Sequence, residues 1–512
     1  ATQVSAMTTD QVVAITTAQA AQMTTSSVAA LSANQVAALE TVDLAKLNTA
    51  AVNSLTTAAI SGLTTGQIAS LTTAQVVALG TDQVKQLGTA QIASLTTAQA
   101  AALTSDQVSA MSTAQVANIT TADIAKLSTS AIAVLNSAQS KFLTTSQLAV
   151  LTTAQVAALS TTSASILSSA QVAAITTAGI AKLSTDAIQA LTTSGIRGLS
   201  SDQVSSITTA QLAAVTTSQV AGLTTAQVVA LTTAQAAKLS TDQVSALTTA
   251  QVNNLETADL AKLSTDAVVS LNSAQLKALS TAQISAMTSA QTAALTSDQV
   301  GSLSTPQLAA LLVGTQMSAM TTAQVAALTT AQIVALTTLQ ASELSSAQVA
   351  AMSTAQIAAI ETVDFAKIST AALSGLTAEQ SAKLTTDQIV ALTTAQASQL
   401  SATSSGALTS AQVAALETGD LANLSTDAIQ ALTTSALAGL SAANQVAKLT
   451  TTQIGALSSA QISSLSTAQV TALVTAQTNK LSSDQISALT TAQLVSMTTA
   501  GVASLTTNAI SS

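Results

Sequence analysis

Large apolar side chains recur along this chain every eight residues, at two places three apart, with small residues between them. From Thr8 the sequence reads TTDQVVAI, TTAQAAQM, TTSSVAAL, SANQVAAL, ETVDLAKL, and the same frame runs to the end. There are 62 full units and a partial one at each terminus, about 64 in all, and only 304–312 (STPQLAALL) and 441–449 (SAANQVAKL) carry an extra residue. The consensus is T-T-A-Q-V-A-A-L. A strand would alternate with period two, whereas apolar residues at the fifth and eighth places favour helix. One continuous helix does not fit either, because eight residues make about 2.2 turns and the apolar stripe would rotate by roughly 80° per unit. The pattern predicts a short helix of six or seven residues in each octad.

The start of that helix is marked twice. Thr or Ser at the first place can accept from the free amides of the first turn, and Gln three residues on can reach back, which makes a capping box. Leu at the end of the preceding octad lies just before the cap and can touch Val or Ile at the fifth place as a hydrophobic staple. Charge gives an independent check, since a short helix gathers acids early and bases late. All 13 basic residues fall at the sixth or seventh place once the inserted residue is ignored, Lys46, Arg197 and Lys480 among them. Of the 22 acids, only Glu343 is late. The lone proline, Pro306, stands in the first turn, where its missing amide costs nothing.

Helices this short do not persist alone, because nucleation is costly and isolated helices below about 12 residues are marginal. Neighbouring units must hold each other, as in repeat proteins whose stability is shared along a one-dimensional array. Ala at the third, sixth and seventh places is expected to permit close helix approach. The predicted fold is all-α: an α-solenoid of very short helices, one per octad, wound into an elongated superhelix that spans 1–512 as a single continuous array. Variant octads of the form E/T-T-x-D/G-L/I/F-A-K/N-L/I begin at Glu40, Thr120, Thr176, Glu256, Glu361 and Glu417. If these share one face, their spacing sets a turn of about 3.4 octads, or roughly 27 residues. Both ends fall inside a repeat, so the chain reads as a segment of a longer protein.

Composition narrows the chemistry. The chain has no Cys, His, Trp or Tyr and only two Phe, Phe142 and Phe365, so its core must be aliphatic. It lacks thiolate ligands, disulfides and the commonest general base. A net charge of −9 argues against nucleic acid or anionic lipid as a partner. No stretch approaches the roughly 18 apolar residues of a membrane span. Ser140 beside Lys141 could be a nucleophile and base, but reads better as a helix-end lysine. Glu40 with Asp43 could bind calcium, but reads better as a cap and a first-turn acid. The Thr-Thr pairs could form a hydroxyl ladder for ice or polysaccharide, or carry O-linked glycans at the second place. Asn118-Ile119-Thr120 and Asn423-Leu424-Ser425 match the N-glycosylation pattern. The sequence assigns no catalytic, cofactor-binding or metal residue, no cofactor and no enzymatic activity.

Leu71-Thr72-Thr73-Ala74-Gln75-Val76-Val77-Ala78 resembles the opening helix of TAL-effector DNA-binding repeats. Those units are about four times longer and carry a base-reading loop and basic DNA-facing parts, which are missing here, so the likeness is one of capping chemistry. The whole chain resembles the Thr-, Ala- and Gln-rich octapeptide arrays of very large bacterial secreted or cell-surface proteins. That resemblance implies an extracellular or cell-surface structural role. The expected function is a non-enzymatic element of a bacterial filament, tube or surface layer, assembled laterally or end to end with itself. The alternative is an adhesin stalk or binding scaffold whose superhelical surface recognises protein or a surface glycan.

Overall fold

Among the described residues nearly every octad folds as a short helix, most of them capped by a side chain, and successive helices coil so that each packs on the helices three octads before and after it. The computed structural model describes residues 2–310 and 317–510. Among the described residues there are 62 α-helices and one 3-10 helix, with no strand. The chain is an α-solenoid of tandem units. It divides into two compact units, 1–263 and 264–512. In the first, helix Thr73–Ala78 packs against Thr49–Asn53 and Thr97–Ala102; in the second, Ser410–Ala415 packs against Thr386–Val390 and Thr434–Leu437.

The helices are shorter than the sequence suggests, running to six residues as in Ala33–Ala38 or only four as in Thr41–Leu44. The difference lies at the octad junction, where two successive residues turn extended. Leu79 (φ −59°, ψ 129°) follows helix Thr73–Ala78, and Thr72 (φ −69°, ψ 156°) precedes it. These extended residues redirect the chain and leave little more than one helical turn between kinks.

Burial repeats with the octad. In 88–95 the first three places are exposed, the fourth and fifth buried, the sixth exposed, the seventh half-buried and the eighth buried. The fifth and eighth places form the aliphatic core, for example Ile92 with Leu95 and Val116 with Ile119. Phe365 sits within this core, whereas Phe142 is exposed. The expectation that Ala at the third place would lie in tight packing needs correction, because that place faces outward. Close approach belongs to the sixth and seventh places: a Cβ on sixth-place Gly406 would lie 3.0 Å from the carbonyl oxygen of Ala431, 25 residues ahead. A Cβ on Gly62 would lie 2.6 Å from the carbonyl oxygen of Ala33, 29 residues earlier, and Gly198, Gly375 and Gly439 face Ser169, Ser346 and Ser410 in the same way. Only glycine fits these seventh-place positions without backbone displacement.

Polar side chains record the winding. Sixth-place Ser205 donates to the carbonyl of Ala230 at 2.8 Å, 25 residues ahead, and seventh-place Ser54 donates to Thr25 at 2.9 Å, 29 residues back. Together with bonds that span up to 31 residues, described below, these distances along the chain bracket the turn of roughly 27 residues expected from the variant octads.

The extra residue of 304–312 involves Leu311 and Leu312, which lie outside the described residues. That of 441–449 is absorbed at the start of the octad. A turn precedes a 3-10 segment, Val446–Lys448, and the glutamine shifts one place to Gln445 while its oxygen still accepts from the N–H of Ser441 at 2.7 Å.

Candidate functional site: a glutamine ladder between turns

The fourth-place glutamine is the residue on which both the local helix and the winding converge. In 96–103 the hydroxyl of Thr96 accepts from the backbone N–H of Gln99 at 3.3 Å, and Gln99 Oε1 accepts from the N–H of Thr96 at 2.7 Å. This is the capping box read from the sequence, and it recurs in octad after octad. The other half of the amide does what the sequence reading did not anticipate. Gln99 Nε2 donates to the carbonyls of Ile68 and Leu71, both at 2.7 Å and 31 and 28 residues back. Those carbonyls stand at the fifth and eighth places of the octad four units earlier: that of Ile68 also accepts from the backbone N–H of Leu71 at 3.2 Å, whereas that of Leu71, past the helix end, has no donor within its own helix.

The same double donation joins Gln75 to Leu44 and Leu47, Gln155 to Ile124 and Leu127, and Gln388 to Ile357 and Ile360. One primary amide thus closes the start of its own helix and the end of another one turn away. Chemistry fixes the orientation of the group: Oε1 must face the N–H, and the NH2 must face the two carbonyls. With Gln99 only 2% exposed, an unmet group there would carry a desolvation penalty of about 1–3 kcal/mol.

A sequence signal for this second role exists. A capping box needs only an acceptor, so Glu would serve as well as Gln. Yet no octad has Glu at the fourth place, although glutamine fills it in most of them. That exclusion marks a position where the NH2 of glutamine has a role beyond the cap.

Some octads break the ladder. Ser163 and Ser404 still donate through Oγ to Leu135 and Leu376, each at 3.1 Å, whereas Ala51, Ala59 and Ala187 have no side-chain donor to offer. In five of the six variant octads Asp occupies the place, and in the one from Thr176 it is Gly179. Asp123 accepts from the Thr120 hydroxyl at 2.6 Å. Asp43, Asp259, Asp364 and Asp420 instead follow a first-place Glu that makes no side-chain cap bond. All four are at most 3% exposed, and Asp43 Oδ1, both oxygens of Asp259 and Asp420 Oδ2 have no hydrogen-bond partner. Burial, followed by the neighbouring Glu, raises the Asp43 and Asp364 carboxyls above the ordinary range and Asp259 to about 6. In Asp420 burial also raises it most, a hydrogen bond from Thr394 offsets part of that effect, and Glu417 adds a smaller upward push.

The other residues singled out from sequence are placed apart from any such convergence. Ser140 is sealed in the core and donates to Ser163 Oγ at 2.9 Å, while Lys141 is exposed. Asn118 and Asn423 are exposed, and their Nδ2 groups donate to Ala114 and Gly419 within their own octads, each at 2.8 Å. First-place threonines are engaged as caps, and second-place threonines such as Thr73 and Thr97 face outward. Among the described residues, no group of three or more His, Cys, Asp or Glu gathers to hold a metal ion, and no helix is long and apolar enough to cross a membrane. An open depression of about 650 Å3 in the first compact unit is lined by hydroxyl groups of Ser169, Thr193, Ser194 and Ser218 together with Arg197.

A family model described as "ALTTAQ repeat" matches thirteen stretches, 36–73, 63–89, 76–113, 116–153, 172–209, 180–217, 204–241, 220–257, 252–289, 271–305, 357–394, 413–451 and 446–483, which together cover more than half of the chain. No curated protein matches it.

Proposed function

Because this chain belongs to the ALTTAQ repeat family, we propose that it is a non-enzymatic structural array that supplies length and stiffness to a bacterial extracellular filament, tube or surface layer through self-association. The observation that carries this reading is the ladder itself. The same amide bonds one octad to another about 30 residues away along both compact units, so the elaborated chemistry of the chain is spent on joining turns. Side chains that could act on a substrate are instead sealed or used as caps, as Ser140 and Thr96 are.

Self-association is supported by the outward face. The first three places of most octads are exposed, and the first two carry hydroxyls in regular rows that a second copy could meet. Placement outside the cell rests on the resemblance to secreted octapeptide arrays. We read 1–512 as one repeat array.

Electron microscopy of the purified chain tests the proposal. Ordered polymers or sheets are expected at high concentration. Isolated particles at every concentration, together with a single-chain mass in sedimentation, would sink it in favour of the second reading, a stalk or scaffold. The hydroxyl-lined depression at Arg197 favours that second reading as a site for an acidic glycan, and binding to a glycan array that Arg197→Ala abolishes would establish it.

A further inference from the structure

The four buried aspartates create a mismatch that the glutamine octads do not have. By the register of the ladder, the carbonyls due a donor from Asp43 are those of Val12 and Ile15; for Asp259 they are Val228 and Leu231, for Asp364 Ile333 and Leu336, and for Asp420 Ile389 and Leu392. An ionised carboxylate is acceptor-only, so carboxylate and carbonyl would confront each other with no hydrogen between them. Among the described residues no other side chain donates to these eighth-place carbonyls. A proton on the carboxyl would give these carbonyls the donor that the glutamine octads supply.

We propose that Asp43, Asp259, Asp364 and Asp420 each bind a proton in the folded coil and use it to donate to the carbonyl one turn back, making these octads acid-stabilised joints in the array. A protonated carboxyl has one O–H donor, the minimum needed to replace one arm of the glutamine NH2. The recurrence of the arrangement in both compact units, each time with an uncapping Glu three residues earlier, supports a built feature.

Nearby charges do not supply a different counterpart. Around Asp43 they are Glu40, Lys46 and Asp10, while the octads of the helices packed on it, Thr17–Ala21 and Thr65–Ser70, carry none. Around Asp259 they are Glu256, Lys262 and, from the octad of helix Thr233–Ala236, Lys238. Asp364 has Glu361 and Lys367 in its own octad, with Glu343 and Asp387 on the packed helices' octads. Asp420 has Glu417, Asp387 and Lys448, and the Thr394 hydroxyl. All of these lysines are exposed, and the ion pair found among the described residues, Lys85 with Asp82 at 3.1 Å, is elsewhere.

The direction of the pH effect follows from linkage. The folded carboxyl titrates above its ordinary value of 3.8, so between that value and the folded one the native state holds more protons than the unfolded chain. Stability contributed by these groups is then complete below about 3.8 and is lost as pH rises, for Asp259 through about 6.

The test compares the natural chain with the variant D43N/D259N/D364N/D420N, whose amides can donate at every pH. The two should melt together at pH 4, with the variant several degrees higher at pH 7.5. The variant E40Q/E256Q/E361Q/E417Q should retain most of the natural pH dependence; a flat profile there would assign the effect to Glu–Asp repulsion and overturn the proposal. A melting difference independent of pH would overturn it too. So would stabilisation of the natural chain alone by millimolar calcium at pH 7.5, which would make these cation sites. Carboxyl-13C labelling of aspartate in the natural chain gives a readout that does not depend on the variants folding. Four signals should titrate above the ordinary range, and titration of all 16 aspartates within it would end the idea.

Discussion

The stretch 64–119 and the stretch 40–63 lie side by side in the first compact unit and differ chiefly at one place of the octad. In 64–119 the fourth place is Gln67, Gln75, Gln83, Gln91, Gln99, Gln107 and Gln115, and every one donates to carbonyls about 30 residues back. In 40–63 it is Asp43, Ala51 and Ala59, and that donation is missing. The apolar core nevertheless runs through both, with Leu44, Val52 and Ile60 fully buried. The caps persist in two of the three octads of 40–63, where Asn48 and Thr56 accept from the backbone amides of Ala51 and Ala59, while Glu40 makes no side-chain cap bond. Apolar burial and local capping therefore suffice to form and pack a unit, and the glutamine adds satisfaction and register between turns. The Asp octads also compensate in volume. Their fifth place holds Leu44, Ile124, Leu260, Phe365 or Leu421, whereas the glutamine octads most often use valine. A larger core residue stands beside the shorter polar one.

The largest effect should come from removing that compensation. Phe365→Ala deletes the bulkiest side chain of the core and should cost about 3–5 kcal/mol, read as a lowered urea midpoint with local loss of amide protection. Should the cost fall below that of a valine truncation in a glutamine octad, the volume argument fails. Gln99→Leu comes next. It fills the space but strands the N–H of Thr96 and the carbonyl of Leu71 and removes one of the two donors to the carbonyl of Ile68, at about 3 kcal/mol. Hydrogen exchange should show the loss at 64–71 as well as at 96–103, and a purely local effect would deny the ladder its role between turns.

The double change E40T/D43Q converts a variant octad toward the consensus and should stabilise the first compact unit by about 1 kcal/mol at neutral pH. No gain, or a loss, would show that 40–47 is shaped for its aspartate rather than short of a glutamine. The smallest change is Thr72→Ala, which removes a cap hydroxyl while Gln75 Oε1 still meets the backbone N–H. It should cost about 1 kcal/mol in equilibrium unfolding.

The fold was legible in the sequence because its rules are local. Thr8 with Gln11, Ser200 with Gln203 and the sorted charges all declare a helix start within a few residues. The length of each helix was overread because Leu79 and its equivalents look helical by apolar spacing, yet their backbone turns extended to redirect the chain. The ladder escaped notice for a different reason. Its acceptors stand 28 and 31 residues from the donor, so they can be found only when the number of residues per turn is known. The missing Glu at the fourth place was the one clue written locally. The buried aspartates were hidden in the same way, since Glu40 with Asp43 reads as an ordinary acidic first turn until the burial of Asp43 is seen.

Every bond of the ladder points backward, from a glutamine to carbonyls already laid down upstream. A nascent chain emerging N-terminus first can therefore wind as it appears, each new octad meeting acceptors that are already in place. Winding can then run in one direction, and the chain need not wait for its far end before its leading turns are sealed.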